Sequence, residues 1–330
     1  MIQVDVGNLQ HIVLNDDSKL FVVGKGACLK RYHAETGLRE WESVNEYKVS
    51  SMLICNNRYL YLHDVGRKCM TVINLTDMSV IHMFKGYTIA EYIECDSVLI
   101  GNQLVWYMGG RSLGLIDTTT NTSLKKMRYF TSNMIVRKMI ARNPENPDQV
   151  QVVTLETFDV NNKNLSFIHA FDVQMNKRIC MGRCHVELNT SSVKDNTIYR
   201  YTKSIEMFDE DTIISVGVYV QILPTKQVQK GFINAMKLSD NLEEISIKLV
   251  ENTGLNSSKG LYRITKFSKN RYITTGWSDM HIIDYKNSTF VQVSILSNLH
   301  NTFIYNVVML RGELYTCSND LKVAKIRLNQ

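Results

Sequence analysis

The stretch that decides the fold is Leu113–Thr119, which reads LGLIDTT: a short apolar run, an Asp, and then a polar turn. Short apolar runs of this kind, ended by Asp, Asn, Ser or Gly, are typical of β-strands followed by tight turns. Six further stretches resemble it, some with another polar residue in place of the Asp. They are Leu29–Gly37, Thr71–Asp77, Ile168–Val173, Asn234–Asp240, His281–Tyr285 and Lys322–Leu328. The chain therefore contains seven copies of one strand type.

These copies recur at a spacing typical of propeller blades. From His33 in the first copy to Arg327 in the last, successive copies lie about 41 to 65 residues apart, and most gaps are close to the length of a four-stranded blade. A single blade cannot bury both of its faces, whereas seven blades around an axis bury each face against a neighbour. We therefore predict an all-β, seven-bladed β-propeller, in which loop insertions fill the two longest gaps.

Both ends of the chain are predicted to belong to one blade. Val323–Leu328 is the third strand of a last blade that lacks a fourth, and Ile2–Val6 is an isolated strand ahead of the first blade. Pairing of these two segments would close the ring. Although a length of 330 residues suggests two domains, we therefore expect one propeller domain over residues 1–330.

The composition is that of a globular protein from a reducing compartment. Apolar residues make up 44% and charged residues 21% of the chain, which excludes disorder. The seven Cys are scattered and odd in number, so they form no disulfide framework. The N-terminus lacks the basic and apolar regions of a signal peptide, and no apolar run approaches the roughly 20 residues that span a bilayer. We expect an intracellular protein without a membrane span, in the cytoplasm or the nucleus.

The C-terminal third resembles the WD-repeat β-propellers. His300–Val307 (HNTFIYNV) is similar to the Gly-His-x-x-x-Val start of an inner strand in that family, with Leu299 in place of the Gly. Thr316–Asp320 (TCSND) is similar to the family's Ser-x-Ser-x-Asp turn. In the preceding blade, Thr275–Asp279 (TGWSD) is followed by Tyr285, near the usual place of Trp. The resemblance is specific for the fold and says little about function.

The resemblance also implies a structural hydrogen-bond network. In the family, a His, a Ser or Thr, an Asp and a Trp tie the strands of a blade together. The residues so placed in this chain are His300, Thr316, Ser318 and Asp320 in the last blade and Asp279 and Tyr285 in the blade before it. Ile326 stands where the last blade would have Trp, so the implied network lacks one member there.

No catalytic, metal or cofactor site is predicted. Gly24–Gly26 and Gly109–Arg111 are rich in Gly, but neither has the strand, helix and Lys-Ser/Thr context of a phosphate loop, so both are read as hairpin turns. Cys180, Cys184 and His185 lack the fourth ligand that tetrahedral zinc requires. Ser, His and Asp are numerous, yet no nucleophile elbow and no HExxH motif is present.

The strongest functional indication is a set of basic residues. In the WD-like strand order, the turns between second and third strands lie on one face of the propeller. Those turns carry Lys25, Arg67 and Arg111 in the first three blades, and a long turn of blade five carries Lys226 and Lys230. Because guanidinium groups bind carboxylate or phosphate through two parallel hydrogen bonds, we predict a basic rim that binds an acidic or phosphorylated peptide. Ordinary surface charge is the alternative.

The long gaps place additional residues around blades four and five. These residues are Phe158–Asn164, Val186–Thr197 and Val220–Lys230. Binding residues concentrate on loops held by a rigid scaffold. Within the last of these segments, Ile222 and Leu223 are apolar for a loop, so they form either a partner contact or the extension of a hairpin beyond the blade.

A second basic stripe is formed by Lys125–Arg128, Arg137, Lys138 and Arg142. Alternate residues of a strand point to opposite faces, so we expect half of each set to face solvent on the outer rim, where Lys on an edge strand discourages edge pairing. Nucleic-acid binding is the alternative, for which base stacking would depend on the adjacent aromatic pair Tyr129–Phe130.

The predicted function is that of a non-catalytic scaffold or adaptor subunit in a multi-protein complex. It would bind a peptide or a partner's loop on one face of the propeller, with no cofactor. The alternatives are a nucleic-acid- or phosphate-binding propeller that uses the basic rim, and an enzyme. The Phe-Arg-Arg-Gly motif of phosphoinositide-binding propellers is absent, which weakens that branch of the alternative.

Overall fold

The computed structural model of the chain is all-β. It describes residues 2–6, 9–24, 26–86, 96–109, 112–128, 135–144, 146, 148–160, 163–175, 177–183, 197–223, 226–239, 242–250 and 260–327. Within these ranges no residue is helical, and the strands form seven four-stranded antiparallel sheets. The fold is a seven-bladed β-propeller, which confirms the architecture predicted from the repeats.

The chain divides into two compact units. The first unit comprises Met1–Asn133 and His300–Gln330, and the second comprises Met134–Leu299. The first unit contains four of the seven sheets and the second contains three. The expectation of a single domain over residues 1–330 stays a prediction, and each unit is described by itself.

The first unit holds blades 1, 2, 3 and 7. Blade 1 consists of β2 (Leu9–Leu14), β3 (Lys19–Gly24), β4 (Ala27–His33) and β5 (Arg39–Tyr47). Blade 2 consists of β6 (Val49–Cys55), β7 (Tyr59–Asp64), β8 (Cys69–Asn74) and β9 (Val80–Lys85). Blade 3 consists of β10 (Ser97–Ile100), β11 (Gln103–Gly109), β12 (Ser112–Asp117) and β13 (Thr122–Arg128). Blade 7 combines β26 (Ile304–Leu310), β27 (Glu313–Ser318) and β28 (Lys322–Arg327) with β1 (Ile2–Gln3).

The second unit holds blades 4, 5 and 6. Blade 4 consists of β14 (Ile135–Ala141), β15 (Gln151–Val160), β16 (Lys163–Asp172) and β17 (Lys177–Arg183). Blade 5 consists of β18 (Thr197–Met207), β19 (Thr212–Leu223), β20 (Lys226–Lys237) and β21 (Glu243–Val250). Blade 6 consists of β22 (Arg263–Ser268), β23 (Arg271–Thr275), β24 (Met280–Lys286) and β25 (Thr289–Leu296).

The first strand of each blade is the innermost one. Within the first unit, β26 contacts β2, β2 contacts β6, and β6 contacts β10; within the second, β14 contacts β18, and β18 contacts β22. The remaining strands follow outward in order, so that the fourth strand is the outer edge of each sheet. Neighbouring blades of a unit therefore meet along their first strands.

The middle strands of a blade are buried on both faces. In β7, Leu60 and Leu62 pack into a core with Phe21 of blade 1, whereas Tyr61 packs into a different core with Trp106 of blade 3. Alternate residues of a strand point to opposite faces, so this strand serves two cores at once. The outer strand β9 is exposed at five of its six positions, because no further strand covers it.

The N-terminal strand completes blade 7, as the sequence predicted. Ile2 lies opposite Val323 in antiparallel register, and the Val4 amide donates to the Leu321 carbonyl at 3.0 Å. Val6 is buried in the same region. The core that these apolar side chains join includes Leu9, Leu20, Tyr32, Tyr315 and Cys317. The first residues of the chain thus bury apolar surface between blades 1 and 7.

The turn between β24 and β25 shows how local sequence sets a hairpin. Asn287 and Ser288 separate the strands and have φ angles of 50° and 55°. Two successive residues with positive φ form the type I′ turn, whose twist matches that of the flanking strands and in which Asn is favoured.

Substitution of Val4 tests the closing strand. Val4→Ala is expected to lower the free energy of unfolding by about 2 kcal/mol, because it removes buried methyl groups and leaves a cavity. Denaturation in urea measures the change. The exposed neighbour Gln3 is the control, and Gln3→Ala should change stability by less than about 0.5 kcal/mol. Equal losses for the two variants would contradict a structural role for the buried side chains of the N-terminal segment.

Candidate functional site

Of the three turn residues in the predicted basic rim, Arg67 is the one that the structure describes. Lys25 and Arg111 lie outside the described residues. Arg67 lies between β7 and β8, where its Nη1 donates to Asp64 Oδ2 at 3.0 Å and its amide donates to Asp64 Oδ1 at 3.2 Å. The same guanidinium group lies 4.7 Å from the ring centre of Tyr47. Since Asp64 is only 1% exposed, Arg67 neutralises a buried carboxylate within its own turn.

The long turn expected in blade 5 is a long hairpin instead. β19 and β20 are twelve residues each and pair without a bulge from Thr212 opposite Lys237 to Leu223 opposite Lys226. The residues that the sequence placed in a turn, Ile222, Leu223, Lys226 and Lys230, therefore belong to strands. The apolar and β-branched alternation of Val216–Val220 continues to Leu223, which favours strand over loop.

Near its turn, this hairpin is joined by β18, which pairs with β19 as a third strand. Arg200 lies opposite Tyr219, and Tyr219 lies opposite Lys230, so these half-buried residues form one row on the same face. On the other face, Val218 and Val220 are buried. This part of the hairpin thus has Val218 and Val220 buried on one face and Arg200, Tyr219 and Lys230 on the other.

Blade 4 also extends its second and third strands. β15 and β16 are ten residues each, and their pairing continues to Val160 opposite Lys163. The segment Phe158–Asn164, which the sequence placed in a loop, therefore consists largely of strand ends. Of the other expected loop, residues 186–196 lie outside the described part of the chain.

The innermost strands of the second unit are basic. The charged residues of β14, β18 and β22 are Arg137, Lys138, Arg200, Lys203, Arg263, Lys266 and Glu206. The innermost strands of the first unit, β26, β2, β6 and β10, carry no Asp, Glu, Lys or Arg. The placement of Arg137 and Lys138 on the outer rim was wrong, because alternation shows which residues share a face but not which strand of a blade is innermost.

Glu206 is the only acidic residue on these basic strands, and the residue as a whole is half-buried. Burial raises the pKa of Glu206, while the positive charge of Lys138, the amides of Met207 and Lys266 and the charge of Lys266 act in the opposite direction. The Met207 amide donates to Glu206 Oε1 at 3.1 Å. The carboxyl group therefore lies between cations of the two neighbouring innermost strands.

A recess of about 750 Å³ lies beside Lys266 at the end of β22, and Phe208, Phe267, Ser268 and Lys269 complete its lining. The Lys266 Nζ donates to the Phe208 carbonyl at 2.8 Å, which links β22 to the end of β18.

The structure brings together the residues that the WD resemblance assigned to a network in blade 7. His300 Nδ1 lies 3.0 Å from Asp320 Oδ1, and its Nε2 lies 2.8 Å from Thr316 Oγ1. Asp320 Oδ2 also accepts the Asn301 amide at 3.2 Å. Because the imidazole is buried, its two ring nitrogens depend on these partners for hydrogen bonding. This geometry ties the start of blade 7 to the turn between β27 and β28.

The remaining residues assigned to the network lie near it or in the preceding blade. Ser318 Oγ lies 2.5 Å from Thr302 Oγ1. In blade 6, Asp279 Oδ1 accepts the Asn298 amide at 3.3 Å and the Ser278 hydroxyl at 3.2 Å. Asp279 thus accepts the amide of Asn298, which follows the last strand of blade 6. Asp320 accepts the amide of Asn301, which precedes the first strand of blade 7.

Tyr285 has a packing role. It is 4% exposed, and its ring meets Phe208 edge-on at 4.9 Å and Phe290 in a tilted contact at 4.6 Å. It belongs to the core between blades 5 and 6, with Tyr272 and Ile214. An aromatic ring at this position therefore fills space between two blades.

The sequence analysis did not find a buried contact between a His and a Glu in blade 4. His169 Nδ1 lies 2.8 Å from Glu156 Oε2, and the Thr154 hydroxyl donates to the other carboxylate oxygen. Glu156 and His169 come from neighbouring strands, and no local spacing in the sequence links them. The cluster is buried, so its role is to hold β15 against β16.

Neither a metal-binding cluster nor a membrane-spanning helix is present among the described residues. In that part of the chain no group of three or more His, Cys, Asp or Glu side chains is arranged to hold a metal ion. No helix there has the length and apolar character needed to cross a membrane.

Comparisons with known proteins show the fold. No protein-family model and no curated protein matches the chain. The structure is similar to that of hydrazine synthase from Kuenenia stuttgartiensis, with a TM-score of 0.72 and 13% identity over 99% of this chain and 97% of that one. It is also similar to the WD40 repeats of RRP9 (TM-score 0.64, 11% identity, 94% of this chain and 87% of that one). A chain of the mitotic checkpoint complex matches with a TM-score of 0.67 and 9% identity over 100% of this chain and 91% of that one.

The class of protein follows from the fold and these similarities. The chain is a β-propeller with fold-level resemblance to WD-repeat proteins. Identities this low show the fold alone, so the function has to be argued from the residues of this chain.

The role of the blade 7 network can be measured by substitution. Asp320→Ala is expected to lower the free energy of unfolding by about 3 kcal/mol, because the buried His300 imidazole and the Asn301 amide lose their acceptor. Asp279→Ala is the matched control in the preceding blade. It removes the acceptor of one amide and one hydroxyl and should cost about 1 kcal/mol. Denaturation in urea distinguishes the two, and equal losses would argue against a network centred on His300.

Glu206 predicts a pH dependence. Because its pKa is raised in the folded protein, the charged carboxylate destabilises the fold. This penalty is absent at low pH, where the carboxyl group is protonated in both states, and appears as the pH rises through the folded-state pKa. Glu206→Gln should therefore stabilise the protein relative to the wild type, and the difference should be larger at pH 7 than at pH 4. Urea denaturation at both pH values provides the measurement, and a difference independent of pH would contradict the prediction.

Proposed function

We propose that this protein is a non-catalytic adaptor, an intracellular subunit of a multi-protein complex, which binds a partner through the β19–β20 hairpin of blade 5. The observation that carries the proposal is the length of this hairpin. Its strands have twelve residues each, whereas β3 and β4 of blade 1 have six and seven. A blade needs only the shorter length to pack against its neighbours, so the additional residues are available for contact.

The edges of the hairpin support a role in binding. β21 pairs with β20 only from Gly231 onward, and β18 pairs with β19 as far as Thr197 opposite Ile222. Among the described residues, the part of the hairpin nearest its turn therefore has three strands where the blade has four. Partner peptides commonly bind beside a strand edge, where backbone hydrogen bonds supply affinity and alternate side chains supply specificity.

The similarity to solved structures agrees with this proposal at the level of the fold. One of the similar chains belongs to an assembly, the mitotic checkpoint complex. The similarity to hydrazine synthase concerns an enzyme by name, but at 13% identity it shows the fold alone. The non-catalytic role is therefore part of the proposal.

Shortening the hairpin tests the proposal. Val220 lies opposite Gln229, so replacing the intervening residues 221–228 with Asn-Gly closes the hairpin with a two-residue type I′ turn. The shortened protein, tagged and expressed in its native cell, should lose the partners that co-purify with the wild type. Its unfolding midpoint should stay unchanged, because the blade itself is intact.

The matched control is the corresponding change in blade 4. Phe158 lies opposite Leu165, so replacing residues 159–164 with Asn-Gly shortens the neighbouring hairpin in the same way. Quantitative mass spectrometry should show the partners retained by this variant. Retention of all partners by the blade 5 variant would overturn the proposal.

A further inference from the structure

The innermost strands of the two units differ in charge. The four innermost strands of the first unit have no charged residue, whereas the three of the second unit have six cations and one anion. Strands in equivalent positions of a repeated fold face the same packing demands. The fold itself therefore does not require charge at these positions.

The cations are concentrated at one level of the strands, marked by a recurring β-bulge. In β14 the register shifts between Val136 and Lys138, which leaves Arg137 as the extra residue, and in β18 it shifts between Thr202 and Ser204, which leaves Lys203. A bulge disrupts the ladder locally and re-aims the side chain of the extra residue. Two neighbouring innermost strands thus present a cation at the same structural position.

The third strand adds a cation at the corresponding point. In β22, Arg263 pairs with Thr275, and the preceding Tyr262 amide also donates to the Thr275 carbonyl at 2.7 Å. Two residues therefore share one partner there, as in a bulge. We call Arg137, Lys138, Lys203 and Arg263 the inner cation set.

The same bulge occurs in the first unit with neutral residues. The extra residue is Gln10 in β2, Ser50 in β6 and Tyr305 in β26. Polar side chains near these bulges have partners within the unit: Ser50 Oγ lies 3.0 Å from His63 Nδ1, and Asn306 Nδ2 donates to the Ile12 carbonyl at 3.4 Å. The bulge is thus compatible with neutral side chains, so the fold does not require cations at this position.

Clustering these cations carries an electrostatic cost. Like charges on adjacent strands repel one another, more strongly where side chains are partly shielded from water. Arg137, Lys138 and Arg263 are half-buried, and Glu206 is the one acidic residue on the same strands. A bound anion would relieve the repulsion, and a positive surface of this kind attracts negatively charged partners.

We propose that the inner cation set binds an acidic segment of a protein partner, with Asp or Glu carboxylates paired to Arg137, Lys138, Lys203 and Arg263. The two guanidinium groups can each bind a carboxylate through two parallel hydrogen bonds. This inference rests on the proposed adaptor role for the identity of the ligand as a protein, but it uses a different surface from the β19–β20 hairpin.

The acidic residues at the end of β18 favour a short peptide over a nucleic acid. Glu206 lies three residues after Lys203 on β18, and the turn that follows this strand contains Asp209, Glu210 and Asp211. A nucleic acid that followed β18 would bring further phosphates to this turn, where they would be repelled. An acidic peptide that ends within the inner cation set avoids the acidic turn.

Fluorescence anisotropy on the full chain tests the assignment. The probe is a fluorescein-labelled poly-Glu peptide of about ten residues, compared with a poly-Gln peptide and an oligouridylate of the same length. The double variant Arg137→Gln, Lys203→Gln should bind poly-Glu about tenfold more weakly than the wild type. The matched control, Lys177→Gln with Arg178→Gln, removes the same charges from the outer strand β17 and should change binding less than about twofold. Glu206→Gln should strengthen binding about two- to threefold, because it removes the nearby negative charge.

The outcomes separate this inference from its alternatives. Equal losses in the two double variants, equal binding of poly-Gln, or absence of poly-Glu binding would overturn it. Tighter binding of the oligouridylate, lost in the Arg137→Gln, Lys203→Gln variant, would assign the surface to nucleic acid instead. If that variant fails to fold, an unchanged affinity in Glu206→Gln would overturn the inference. The shortened-hairpin variant should still bind poly-Glu, so failure of the adaptor proposal can be distinguished from failure of this one.

Discussion

Each middle strand of a blade has apolar side chains on both faces, and this constraint governs the rest of the structure. Leu60 and Tyr61 are neighbours in β7, yet they belong to two different cores, one shared with blade 1 and one shared with blade 3. In β19, Ile213 packs toward blade 4 and Ile214 toward blade 6. No blade can bury both of these faces alone, so the blades of a unit stabilise one another.

The polar contacts of the blades supplement this packing at points where a strand begins or turns. His300, Thr316 and Asp320 link the start of blade 7 to the turn between its second and third strands. Arg67 and Asp64 form a contact within the turn between β7 and β8 of blade 2. Buried polar groups of this kind contribute mainly because an unpaired donor or acceptor would be costly. Their geometry identifies them as parts of the scaffold, which leaves other positions for binding.

The innermost strands and the extended hairpins are positions where packing leaves the sequence more freedom. β2 and β18 have the same place in their blades, yet their bulges carry Gln10 and Lys203 respectively. Likewise, β3 and β19 are both second strands, but β19 is twice as long. Differences among equivalent positions of a repeat do not follow from the fold, so they are the most informative features about function. Both of our functional proposals come from such differences.

The sequence by itself determined the seven blades and the strand that closes blade 7, because one strand type recurs along the chain at a regular spacing. The residues of the His300 network followed from the resemblance to WD-repeat propellers. The sequence could not rank the strands within a blade, so Arg137 and Lys138 were placed on the outer edge, although they lie on an innermost strand. It also could not distinguish a long turn from a long hairpin around Lys226 and Lys230. Only the tertiary structure decided these points, because strand order, register and the neighbours of a side chain depend on residues that are distant in the chain.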